Sequence, residues 1–174
     1  MCYSAIAVAN FFIEKSIEEK RFLTVLHLIK MAFLSHAVFY NTRHKPLFSD
    51  PVVAWKHGPV IASLYHNLKH YGNSPITESI SVAKPVPDNG KFSFQLVTPN
   101  IRPDDKEISD FLTVAWNKLS TIDAWRLRMY SHEKGGAWYE TVSKIVDDPN
   151  NEESLKSLPR NLTILDKVIE ECGR

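Results

Sequence analysis

Cysteine is scarce in this chain: Cys2 and Cys172, near opposite ends, are the only two. They are too few and too remote for a disulfide framework or a thiolate metal site, so a reducing cytoplasm is the expected setting. Long apolar runs are missing as well. The run Ala5–Ile13 is interrupted by Asn10, has no basic segment before it and leads into charges, so it reads as neither signal peptide nor membrane anchor. An excess of one charge is also lacking. Lys and Arg number 21 against 20 Asp and Glu, a net charge of +1, which makes a dedicated nucleic-acid binder unlikely on electrostatic grounds, and no helix is basic along one face. No GxGxxG, GxxxxGK[ST] or G-x-S-x-G occurs. Dinucleotide, phosphate-cradling and nucleophile-elbow chemistry therefore lose their usual carriers.

What is present suits a soluble globular protein. The 174 residues are 44% hydrophobic and 24% charged, enough for one domain, 1–174, that buries about two-thirds of its unfolded surface. Charge is unevenly spread. Residues 1–72 carry 8 basic and 4 acidic groups (8 − 4 = +4), and residues 73–174 carry 13 and 16 (13 − 16 = −3). Six of the seven histidines also fall in the first part. Such an asymmetry can steer an acidic partner surface, although totals this modest fit an ordinary mixed surface better.

Periodicity predicts a buried helix over Cys2–Lys15 and a second, central one over Val25–Phe39 with Thr24 as N-cap. Ser79–Ala83 and Lys91–Val97 alternate around Asp88-Asn89-Gly90, the pattern of a β-hairpin. A stripe of Ile108, Phe111, Leu112, Ala115, Trp116 and Leu119 predicts a helix entered near Pro103. Ser120 with Asp123 reads as a capping box for Thr121–Tyr130, and shorter helices are expected over Ala137–Val146 and Thr163–Cys172. The expected class is mainly α: a compact single domain of about six or seven helices with one small β-hairpin.

The densest stretch is Leu47–Ile76. Gly58-Pro59 has the form of a helix start, because Pro at the first helical position gives up an N–H that had no partner. Val60, Ile61, Leu64, Tyr65 and Leu68 would form its apolar face, and Gly72 and Pro75 would end it. The pattern PLF-(x)5-AW-(x)2-GPV-(x)4-Y-(x)5-YG-(x)2-PI resembles the Panacea domain of SocA-like antitoxins and related phage-associated proteins. Ala9–Lys15 (ANFFIEK) with Leu23–Tyr40 (LTVLHLIKMAFLSHAVFY) is similar to that family's opening helices. Arg128–Trp138 (RMYSHEKGGAW) is similar to its closing segment. The resemblance covers 2–145 and leaves the tail, 147–174, unmatched. His27 stands where the family usually has Lys, Phe33 where it has Tyr, and Ala137 where Pro often precedes the closing Trp.

Candidate chemistry is thin. His66 and His70 lie one helical turn apart and His57 lies nearby, a spacing compatible with a metal. Asn67, however, replaces the glutamate of metalloprotease helices, and solvated histidines are the simpler reading. His132-Glu133 before Gly135-Gly136 has the look of a base with an orienting carboxylate, but no nucleophile accompanies it, and a helix-ending His is the simpler reading. Trp55, Tyr65, Tyr71 and Trp138 are core aromatics by default. Trp55, in a Pro-bounded loop, can also wall a groove, and Trp and Tyr are the residues that most often carry interface energy. With Gly58, Pro59 and His132 they are the candidate partner-binding or structural motif.

The resemblance implies an antitoxin that binds and neutralises a cognate toxin protein in the cytoplasm. It implies no catalysis, no cofactor, no metal and no membrane. Two alternatives are an adaptor delivering the toxin to a cytoplasmic protease and a metal-dependent hydrolase using His57, His66 and His70. The insert Ser79–Pro99 and the tail are the expected places for partner-specific contacts.

Overall fold

A nineteen-residue helix with almost no polar side is the element around which the others pack. This helix, α2 (Val25–Arg43), touches α1 (Ala5–Glu18), α3 (Ala62–Leu68), α4 (Lys106–Leu119), α5 (Ala124–Ser131) and strand β2 (Gly58–Ile61). Leu28, Met31 and Ala32 are fully buried, as expected of a helix that is apolar all round. Thr24 caps it by accepting from the His27 N–H at 3.4 Å, and His44 ends it in the left-handed conformation. The computed structural model describes residues 2–88, 91–159 and 162–164. Within them, one apolar cluster runs from Ala5 in α1 to Ile164 in β5 (Thr163–Ile164).

The expected class, mainly α with six or seven helices and one small hairpin, needs correction. Among the described residues there are six α-helices and two small antiparallel sheets. The unforeseen sheet has the order β2-β1-β5. Its β1 (Val52–Trp55) lies where a Pro-bounded loop was expected, and β2 where a helix start was expected. Gly58-Pro59 does not begin a helix. Trp55 pairs with Gly58 across a two-residue turn, Lys56-His57, and the helix waits until Ala62. Gly58 has φ +100°, which a first helical turn cannot use and a tight hairpin can. Pro59 is tolerated because β2 is an outer strand that needs no ladder donor there.

Two smaller expectations also change. The cap of α5 is Asp123, which accepts from Arg126 N–H at 2.9 Å, so Ser120 belongs to the end of α4. Thr163–Ile164, expected to open a helix, pair with β1; the rest of that segment and Cys172 lie outside the described residues.

The second sheet is β3 (Val82–Asp88) with β4 (Lys91–Val97), paired from Val82↔Val97 to Asp88↔Lys91. Its base is tied to α1 by Asn10, which is fully buried. The Asn10 amide donates to Ile80 O at 3.0 Å and Pro99 O at 2.8 Å, and its oxygen accepts from Ile80 N–H at 2.8 Å. A polar side chain in the core is thus satisfied by both ends of one hairpin. No helix among the described residues is long and apolar enough to cross a membrane.

Candidate functional site

The β1–β2 turn brings the sequence candidates together. Behind it, Lys30 projects from α2 with 1% of its surface exposed. Its ammonium donates to His57 O at 3.1 Å and Pro59 O at 2.9 Å, which clamps the turn from below. Burial first, and then the Arg128 charge, push this ammonium down to about 7. His132, the C-cap of α5, lies beside it. The Arg128 carbonyl can only accept, so at 2.7 Å it takes the Nδ1 proton and leaves a lone pair on Nε2. An ideal Cβ on Gly58 would overlap the His132 ring and stand 2.6 Å from Lys30 Nζ. Only glycine fits between them.

Aromatic rings carry the arrangement outward. Trp138, buried in α6 (Ala137–Val142), packs against the His132 ring at a 54° tilt with centroids 4.2 Å apart and donates from Nε1 to Trp55 O at 3.0 Å. Trp55 meets Tyr65 of α3 edge to face at 5.0 Å. Trp55, Gly58, Pro59, Tyr65, His132 and Trp138 therefore converge. Tyr71 stands apart, on a 3₁₀ turn (Lys69–Tyr71), against the ring of His70 at 4.3 Å.

Two grooves flank the turn. One, of about 860 Å³, is bounded by Trp55, His57, Tyr65, His66, Leu155 and Leu158. The other, of about 360 Å³, lies toward Leu26, Lys30, Trp125 and Arg128 and shares Trp55, His57 and Tyr65 with the first. Trp125 is 62% exposed, and the Arg128 guanidinium sits 4.7 Å over its ring. The result is an apolar ledge of Trp and Tyr with one paired cation, the composition that most often carries interface energy.

Sequence reading missed Lys30, Trp125 and Arg128. Lys30 had a usable signal: it is the only Lys, Arg, Asp or Glu in Val25–Phe39, and a lone charge in a buried helix needs partners. Arg128 lies inside the closing segment Arg128–Trp138. Nothing local distinguished Trp125.

The catalytic and metal readings gain no geometry. Nδ1 of His132 is taken by a backbone carbonyl, Nε2 is buried against Gly58, and the Glu133 carboxylate faces solvent. His66 and His70 are exposed, and no group of three or more potential ligands among the described residues is placed to hold a metal. The His66→Ala/His70→Ala double variant should match wild type in melting temperature. A clear fall in the midpoint would reassign these side chains.

Two buried histidines make stability depend on pH. His36 of α2 is 2% exposed against the Phe48 ring, 4.1 Å away, and burial pushes it down to about 4 from the usual 6.5. His132 is also lowered to about 4, mainly by burial, with the neighbouring positive charges adding and the Arg128 carbonyl opposing. Between these values the unfolded chain binds protons at both histidines that the folded chain does not, so their contribution to stability is complete above pH 6.5 and is lost as pH drops toward 4. For His36 the loss is on the order of 3 kcal/mol at the acid end. Thermal melts across this window should show a falling midpoint, and His36→Leu should flatten the curve. A pH-independent midpoint would contradict the assignment.

Comparison with known proteins now adds the family. A family model described as "Antitoxin SocA-like, Panacea domain" matches residues 28–139, a span holding Lys30, the β1–β2 turn, His132 and Trp138. Antitoxin SocA of Caulobacter vibrioides (strain NA1000 / CB15N) is 26% identical over 168 residues, 97% of this chain and 81% of that protein. No solved structure matches. The family match spans more than half of the chain, which therefore belongs to the SocA-like antitoxin family that carries the Panacea domain.

Proposed function

We propose that this chain is an antitoxin that binds a cognate protein toxin, without turnover, and silences it by occupying its surface. Family membership and the likeness to Antitoxin SocA support the role. The observation that carries a binding mechanism is the ledge of Trp55, Tyr65 and Trp125 beside two open grooves. Lys30, Gly58, His132 and Trp138 stand behind it as a rigid support: Lys30 and Trp138 bond main-chain carbonyls of the turn, and Gly58 packs against Lys30 and His132, which fixes the backbone that carries Trp55. Such preorganisation lowers the entropic cost of docking.

The test is co-expression with a candidate toxin, sought first among the reading frames adjacent to this gene. Growth arrest by that protein should be relieved by the wild-type chain and not by Trp55→Ala/Trp125→Ala, provided that variant folds. Relief that survives the double variant would move the binding site elsewhere. Following toxin abundance with and without cytoplasmic proteases separates two modes. Unchanged abundance means occlusion, and a protease-dependent fall would mean that the chain delivers its toxin for degradation.

A further inference from the structure

We propose that the outer edge of β4 pairs with the same edge of a second copy of this chain, giving a dimer built on a continuous four-stranded sheet. The argument starts from two prolines. In an antiparallel ladder, alternate residue pairs exchange both hydrogen bonds, and a proline cannot be a donor in such a pair. Pro85 pairs with Phe94 and Pro87 with Phe92, so the inward bonds fall on Lys84↔Gln95 and Val86↔Ser93. The main-chain groups of Phe92, Phe94 and Leu96 then point away from β3. On the β3 side the two prolines remove the corresponding outward donors. One edge of the ribbon is blocked and the other is open.

Among the described residues, nothing guards the open edge. The sheet has two strands, and no backbone or side-chain hydrogen bond among the described residues reaches Phe94 or Leu96 from outside it. From Ser93 to Val97 there is no charge and no proline, the usual protection of an edge strand. By contrast β2, the outer strand of the other sheet, is covered by α2, and Lys30 takes its Pro59 carbonyl.

The occupant follows from self-complementarity. With a twofold axis at Phe94, Phe94 pairs with its own copy, Ser93 with Gln95 and Leu96 with position 92, while Lys91 falls opposite Val97. No like charges oppose one another, and every outward donor meets an acceptor. Residues that pair across a ladder share a face, so Ala83, Pro85, Phe94 and Leu96 lie together, all exposed, Phe94 by 70% and Leu96 by 74%. Two Phe94 rings beside the axis shield part of that surface. Because both outer edges of the new sheet are proline-blocked β3 strands, growth stops at two copies.

The proposal stands apart from toxin neutralisation and is tested on the protein alone. Sedimentation at rising concentration should show the mass passing from one copy to two. Leu96→Pro removes an outward donor and no inward one, and it should stay at one copy with a melting temperature near that of the wild type. If that variant folds poorly, hydrogen exchange on the wild type decides. The Phe94 and Leu96 amides should exchange more slowly as concentration rises, whereas the Ala83 amide should not change. A wild type that remains one copy at every concentration overturns the proposal, as does protection of Phe94 that appears only when toxin is added.

Discussion

Gly58→Val should leave little folded protein, with a cost on the order of 3–5 kcal/mol, because two separate mechanisms act at one atom. The backbone at φ +100° disfavours any β-branched side chain, and the new Cβ would overlap the His132 ring and crowd Lys30 Nζ. Gly58→Ala separates them. In the wild-type background it incurs both the backbone cost and the overlap. In a His132→Ala background the ring is gone, and the added cost should shrink, leaving the backbone contribution of about 1–2 kcal/mol and the 2.6 Å approach to Lys30 Nζ. Urea unfolding of the four proteins in this cycle gives the coupling. An unchanged melting temperature for Gly58→Val would show that the turn does not hold the conformation described.

The second large effect concerns the proposed toxin complex. Trp55→Ala should raise its dissociation rate about thirtyfold, the equivalent of about 2 kcal/mol for a buried aromatic anchor. Trp125→Ala should act in the same direction. The association rate should change little, and raising the salt concentration should change it little too, since the N-terminal excess of charge is spread over many exposed residues. Trp55 also braces Tyr65 at 5.0 Å, so each variant must first keep its melting temperature. A strongly salt-sensitive association rate, with dissociation indifferent to both tryptophans, would return the site to the basic, His-rich first part of the chain.

How far the chain could be read depends on how local each signal is. Thr24 as the cap of α2, the buried stripe of α4 and the alternation in β4 are patterns within a few residues, and the structure keeps them. Gly58-Pro59 is ambiguous in sequence because a helix start and an outer-strand turn use the same dipeptide. The deciding facts are the partner Trp55 and the side chains of Lys30 and His132, which lie 28 and 74 positions away in the sequence. Strands of four residues such as β1 and β2 carry too few alternations to outweigh an apolar helical face beside them. Among the site residues, the aromatics could be nominated by type. Their convergence on one turn, and the exclusion of Tyr71 from it, depend on the packing of α3 and α5 against β2 and of α6 against β1.

Asn10 makes the β3–β4 ribbon a replaceable part. One amide nitrogen holds the carbonyls of both Ile80 and Pro99, so the chain leaves the core and re-enters it at a single point. Whatever is spliced between those residues, a longer ribbon, a shorter one or a bare turn, inherits the same anchorage and leaves the helices undisturbed. A scaffold with such a socket can change what it presents to the outside without relearning how to fold.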